Sequence, residues 1–142
     1  GHLALRSTDP LQAPRIVPNS LATQHDLDAM FAAARLVRRL AATPAFQAVI
    51  EREITPGPAV QSAADIMDDI AQRASTVFHP VSTCRMGTDP RQAVVDAQLR
   101  VHGLQGLRVI DASVFPTLTS GNTNAPSIMV GEKMADILKA AA

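Results

Sequence analysis

His79 carries the clearest chemical signal in this chain. It follows the apolar run Val77-Phe78 and precedes Pro80, so its backbone is restrained on the C-terminal side. A neutral imidazole near pH 7 can accept a proton, and its unperturbed pKa of about 6.5 suits a general base. A structural histidine at a strand end is the plainer alternative, because no partner is identified by spacing. The other histidines are His2, His25 and His102, and the single cysteine, Cys84, lies five residues after His79. No two of these stand at a zinc-ligand spacing, and zinc needs three or four ligands, so no metal site is expected.

Residues 117–124 form a second feature. Asn122 and Asn124 are carboxamides beside Gly121, Thr123 and Pro126. A carboxamide both donates and accepts, which suits holding an alcohol or a ring carbonyl. A helix start close by adds free N–H groups for an anionic partner. A capped helix entry without a ligand satisfies the same pattern. Asp111 ends the apolar run 107–110 and precedes Ala112 and Ser113. Such a strand end can present its backbone to a cofactor, or the carboxylate can simply cap the next turn. No G-x-G-x-x-G fingerprint is present, so the principal nucleotide site of any dinucleotide enzyme would lie outside this chain.

These residues must be positioned by a mixed set of elements. Residues 3–6 alternate as a short strand, a turn follows at 7–10, and the prolines at 14 and 18 keep the chain extended. Leu27, Met30, Phe31, Ala34, Val37, Leu40 and Ala41 recur at helical spacing over residues 24–42, with Thr23 as cap. Pro44 ends that helix or starts a short one over 45–51. Ser62 caps a third helix over 63–73, with Ile66, Met67 and Ile70 inward. Strands are expected at 76–78, 99–101 and 107–110. A last helix begins at Pro126 or Ser127 and runs to Ala140, with Ile128, Met129, Met134, Ile137 and Leu138 as its apolar stripe.

Composition narrows the function. Aromatic residues are 3% with no Trp or Tyr, which leaves no platform for stacking bases. Thirteen basic and thirteen acidic residues balance, so nothing draws the chain electrostatically to nucleic acid or an anionic membrane. No apolar run nears the ~18 residues of a membrane span. One cysteine forms no internal disulfide and fits a reducing, cytoplasmic compartment. Gly1 is not an initiator Met and no signal peptide follows, so a fragment of a longer chain is expected.

Four segments, in order, resemble the glucose–methanol–choline (GMC) oxidoreductases. They are His79-Pro80-Val81-Ser82-Thr83-Cys84-Arg85-Met86-Gly87, the run Gly103 to Ser113, the run Pro116 to Pro126, and Gly131-Glu132-Lys133-Met134-Ala135-Asp136. The nearest flavour is the choline-dehydrogenase-like alcohol dehydrogenase branch. One departure is Ser82, where the family has Gly, a residue that can serve a special backbone angle.

The resemblance implies an α+β fold, with helices on one face of an antiparallel sheet and a C-terminal strand, loop and helix belonging to the FAD domain. Residues 1–103 would then be part of the substrate domain, and 104–142 the return into the FAD domain. It implies FAD as cofactor, held mainly by an N-terminal half absent from this chain. His79 would take part in removing the hydroxyl proton of a small alcohol, and Asn122 would hold the same oxygen. Asp111 and Ala112 would approach the flavin diphosphate, and Thr123 and Asn124 the ring. The complete enzyme would oxidise a primary alcohol to an aldehyde by hydride transfer to flavin N5. The fragment alone would be inactive, and its uncovered surface could self-associate. Two other readings remain open: a hydroxynitrile-lyase-type member, and a non-catalytic binding module derived from such an enzyme.

Overall fold

A computed structural model describes residues 1–140. The chain combines helices with one two-stranded antiparallel sheet, and it divides into two compact units, one of residues 1–75 and one from Thr76 onward.

In the first unit, strand β1 (His2–Ala4) pairs antiparallel with β2 (Arg15–Val17), Leu3 facing Ile16. Helix α1 (Gln24–Ala41) starts where Thr23 Oγ1 accepts the Asp26 N–H at 3.2 Å. The short helix α2 (Pro44–Gln47) starts at Pro44, where the missing N–H costs nothing. It is shorter than the expected 45–51. Helix α3 (Ala63–Arg73) has the expected bounds and a reciprocal capping box: Asp65 N–H donates to Ser62 Oγ, and Ser62 N–H to Asp65 Oδ2, each at 3.1 Å. Helix α1 packs against α2 and α3. The loop before α3 is held by Arg38, whose guanidinium pairs with Glu53 and donates to the carbonyls of Val60 at 2.6 Å and Gly57 at 3.3 Å.

Helix α1 forms where its spacing predicts, yet it covers little of its apolar face. Its apolar spacing is helical, but no residue of the helix is buried, and Val37 remains 64% exposed. Burial in this unit falls instead on Ile66 and Ile70 of α3. Periodicity identifies a face, not whether anything covers it.

The second unit holds the hydrophobic core. Val95, Leu99, Val114, Phe115, Val130 and Met134 cluster there, with Val95 and Val114 fully buried. Helix α4 (Asn124–Ala140) contributes Val130 and Met134, with Ile137 one turn further along the same side. Ile128, Met129 and Leu138, expected inward, are exposed, because the i, i+4, i+7 row through Val130 meets the core instead. No regular strands form over 99–101 or 107–110. The same residues pair through isolated bridges, Val95 with Val101 and Arg100 with Arg108. Residues 76–78 form no strand either. Phe78 adopts φ 62, and its N–H donates to Thr76 Oγ1 at 3.0 Å, so the chain turns just before His79.

Candidate active site

The two most specific motifs are stitched together by backbone. Cys84 N–H donates to the Ser113 carbonyl at 2.9 Å, and Met86 N–H to that of Val114 at 2.8 Å. Gly87 N–H bonds the Val95 carbonyl at 2.9 Å, and a Cβ on Gly87 would stand 3.0 Å from that of Ala93. A side chain there would have to push Ala93 aside by a few tenths of an ångström, which favours glycine. His102 Nε2 lies 2.9 Å from the Gly87 carbonyl. A carbonyl only accepts, so Nε2 carries the proton, and His102 is a satisfied structural histidine.

His79 is half-buried, and its Nδ1 lies 2.8 Å from Thr123 Oγ1, a contact that spans 44 positions of sequence. Its Nε2 has no partner among the described residues and is not one of their buried unpaired atoms, so it reaches the surface. Thr123 is buried at 8% exposure. Its carbonyl accepts the Ser127 N–H at 3.0 Å, which makes it the N-cap of α4. The usual partner of an N-cap hydroxyl is the N–H at N2 or N3, and N3 here is Pro126, which has none. The hydroxyl is therefore free to meet His79. Spacing did not reveal this pairing, although a Thr three residues before a Pro at a helix entry was its one visible sign.

The other predicted residues divide. Asn122 and Asn124 are exposed, and neither carboxamide has a hydrogen-bond partner among the described residues, so both are available to a ligand. The contact between His79 and Thr123 brings Asn122 to within one residue of the imidazole's anchor. Asp111 Oδ1 accepts the Ser113 N–H at 2.7 Å and caps the turn Ala112–Val114. Its carboxylate thus does the local work considered as the alternative, and its carbonyl accepts the Val114 N–H at 3.2 Å.

Ser82 departs most from an unstrained chain. It has φ 68, and its Oγ is buried without a partner. A left-handed angle favours glycine, the residue expected of the motif. A surface cleft of about 620 Å³ lies elsewhere in this unit, lined by Asp96, Arg100, His102, Arg108 and Leu138 among others. It includes none of His79, Asn122 or Thr123, and His102 within it is already committed to Gly87. Among the described residues, no group of three or more His, Cys, Asp or Glu could hold a metal ion, and no helix is long and apolar enough to cross a membrane.

Comparison with known proteins shows the family. The GMC oxidoreductase family model matches residues 1–131. An oxygen-dependent choline dehydrogenase of Chromohalobacter salexigens is 48% identical over 139 residues, covering 98% of this chain and 25% of its own length. An alcohol dehydrogenase [acceptor] of Pseudomonas putida is 46% identical over 138 residues, covering 97% of this chain and 25% of its own. Among solved structures, an FAD-dependent oxidoreductase from Chaetomium thermophilum superposes with a TM-score of 0.90 at 27% identity, covering 98% of this chain and 24% of that one. The chain spans about a quarter of the length of these relatives. On the family match and the shared fold, this chain belongs to the GMC oxidoreductase family.

Proposed function

We propose that this chain is the C-terminal catalytic segment of an FAD-dependent enzyme that oxidises a primary alcohol to an aldehyde. The observation that carries the reading is the 2.8 Å contact between His79 Nδ1 and Thr123 Oγ1. It anchors the imidazole to the residue that follows Asn122 in the chain and leaves the other ring nitrogen without a partner among the described residues.

The residues present fit a flavin. The N–H groups of Asn124 and Ala125 open helix α4 with no partner among the described residues, and two unpaired carboxamides flank them. Such a helix start suits the electron-rich edge of a ring. Thr123 turns its side chain inward, so it would approach the ring through backbone, with Asn124 beside it. The turn at Asp111 and Ala112 would approach the diphosphate through its backbone. FAD, when bound, supplies the hydride acceptor at its N5.

This chain's own groups handle the alcohol oxygen. His79 Nε2 accepts the hydroxyl proton. The Asn122 carboxamide donates a hydrogen bond to the same oxygen and fixes which hydrogen of the carbon points at the acceptor. Holding both groups on one scaffold turns a matter of collision into one of position.

The site is open on one side, and large apolar residues such as Phe78 and Leu118 are 81% and 73% exposed. This supports a missing N-terminal half that covers them, carries most of the FAD site and completes the sheet that β1 and β2 begin, with helices packed on one face. In that enzyme residues 1–103 belong to the substrate domain and 104–142 to the FAD domain. Without that half, the chain binds no FAD tightly, turns over no alcohol and self-associates through the uncovered surface.

The test is His79→Ala in the complete enzyme, read as the rate of anaerobic flavin reduction by alcohol. A fall of at least about tenfold to a hundredfold is expected for loss of a general base. A rate equal to that of the unsubstituted enzyme would sink the reading.

A further inference from the structure

We infer that Thr123 is a positioning residue that sets the tautomer of His79, placing the proton on Nδ1 so that Nε2 offers its lone pair to the substrate. The inference rests on the proposed role of His79 as the base and adds what prepares it for that role.

Three observations carry it. The Nδ1–Oγ1 distance is 2.8 Å, and Thr123 is buried while His79 is half-buried, so little water competes for this bond. Of the hydroxyl's two usual helix partners, N3 is removed by Pro126 and the N2 N–H of Ala125 makes no bond to it, which leaves its lone pairs to accept from the ring. The N-cap carbonyl is held by Ser127, whose N–H and Oγ both bond it, at 3.0 and 2.6 Å, so the threonine backbone is fixed.

A threonine hydroxyl can donate or accept, and the choice follows from the proton cycle. If Oγ1 donated to Nδ1, Nε2 would carry the proton and could not act as a base. With Nδ1–H donating to Oγ1, the same bond persists when Nε2 takes up a proton. The anchor then needs no rearrangement during the reaction. His102 shows the opposite arrangement in the same unit: its carbonyl partner leaves no choice and fixes the proton on Nε2.

The experiment uses the complete FAD-loaded enzyme with nitrogen-labelled histidine rings, the His79 signals being identified by their loss in His79→Ala. The neutral ring should show a protonated Nδ1 and a bare Nε2. Thr123→Val keeps the branched shape and removes the acceptor. It should move the proton toward Nε2 and slow anaerobic flavin reduction by about tenfold to a hundredfold, the usual scale for a lost orienting partner. Thr123→Ser keeps the hydroxyl and should restore both tautomer and most of the rate. A wild-type ring protonated on Nε2, or a Thr123→Val enzyme with unchanged tautomer, overturns the inference. Failure of the base reading is seen separately, as a His79→Ala enzyme that still reduces its flavin at full rate.

Discussion

The Cys84 N–H donates to the Ser113 carbonyl at 2.9 Å, tying the segment that follows His79 to the turn capped by Asp111. Ser82, two residues before this tie, is where the path is least comfortable, with its φ of 68 and a buried, unpaired hydroxyl. Ser82→Gly removes both burdens and is expected to stabilise the complete enzyme. The left-handed angle costs a non-glycine residue roughly 1–2 kcal/mol and the stranded hydroxyl about 1–3 kcal/mol, against about 1 kcal/mol of added chain entropy for glycine. Thermal unfolding of Ser82→Gly and Ser82→Ala separates the two causes, since alanine relieves only the hydroxyl. A glycine variant that melts below the parent would mean that the hydroxyl has a partner.

Asn122 contributes one neutral hydrogen bond to the alcohol oxygen in the proposed mechanism. Its loss in Asn122→Ala should lower kcat/KM by about tenfold, the equivalent of one such bond at roughly 1.4 kcal/mol. Stopped-flow flavin reduction across substrate concentration reads this directly. A change confined to stability, with kcat/KM intact, would remove Asn122 from the site.

The uneven packing gives a contrast between two valines. Val114 is fully buried among Val95, Phe115 and Met134, whereas Val37 is 64% exposed. In the isolated chain Val114→Ala should cost about 2 kcal/mol through lost burial and a residual cavity. Val37→Ala should stay within about 0.5 kcal/mol. Denaturant midpoints measure both. If Val37→Ala costs far more in the complete enzyme than in the isolated chain, α1 is covered there.

The capping box at α3 predicts a pH dependence. Hydrogen bonds from Ser62, the side-chain bond first and then the backbone one, hold the Asp65 carboxyl below the ordinary carboxylate range. A depressed folded pKa contributes stability that is present above the unfolded value, about 3.9, and is lost as pH falls through the folded one. Asp65→Asn should therefore weaken α3 at neutral pH and make no difference in strong acid. Helix content followed on heating at each pH decides it. A gap that widens in acid would reverse the sign and contradict the cap.

The sequence by itself determined the family, through four motifs in order, and the local elements whose causes are local. Thr23, Pro44 and Ser62 mark helix starts because caps and prolines act within one turn. Only the tertiary structure decided which apolar faces are covered, since Val37 and Ile128 repeat at helical spacing as faithfully as Met134 does but stay mostly exposed. It alone replaced the expected strand at 76–78 with a turn, in which Phe78 takes a positive φ and its N–H meets Thr76 Oγ1. It alone brought Thr123 to His79, a contact between residues 44 positions apart. Composition and periodicity report on neighbours along the chain, whereas a hydrogen bond between distant side chains exists only once the backbone between them has closed the loop.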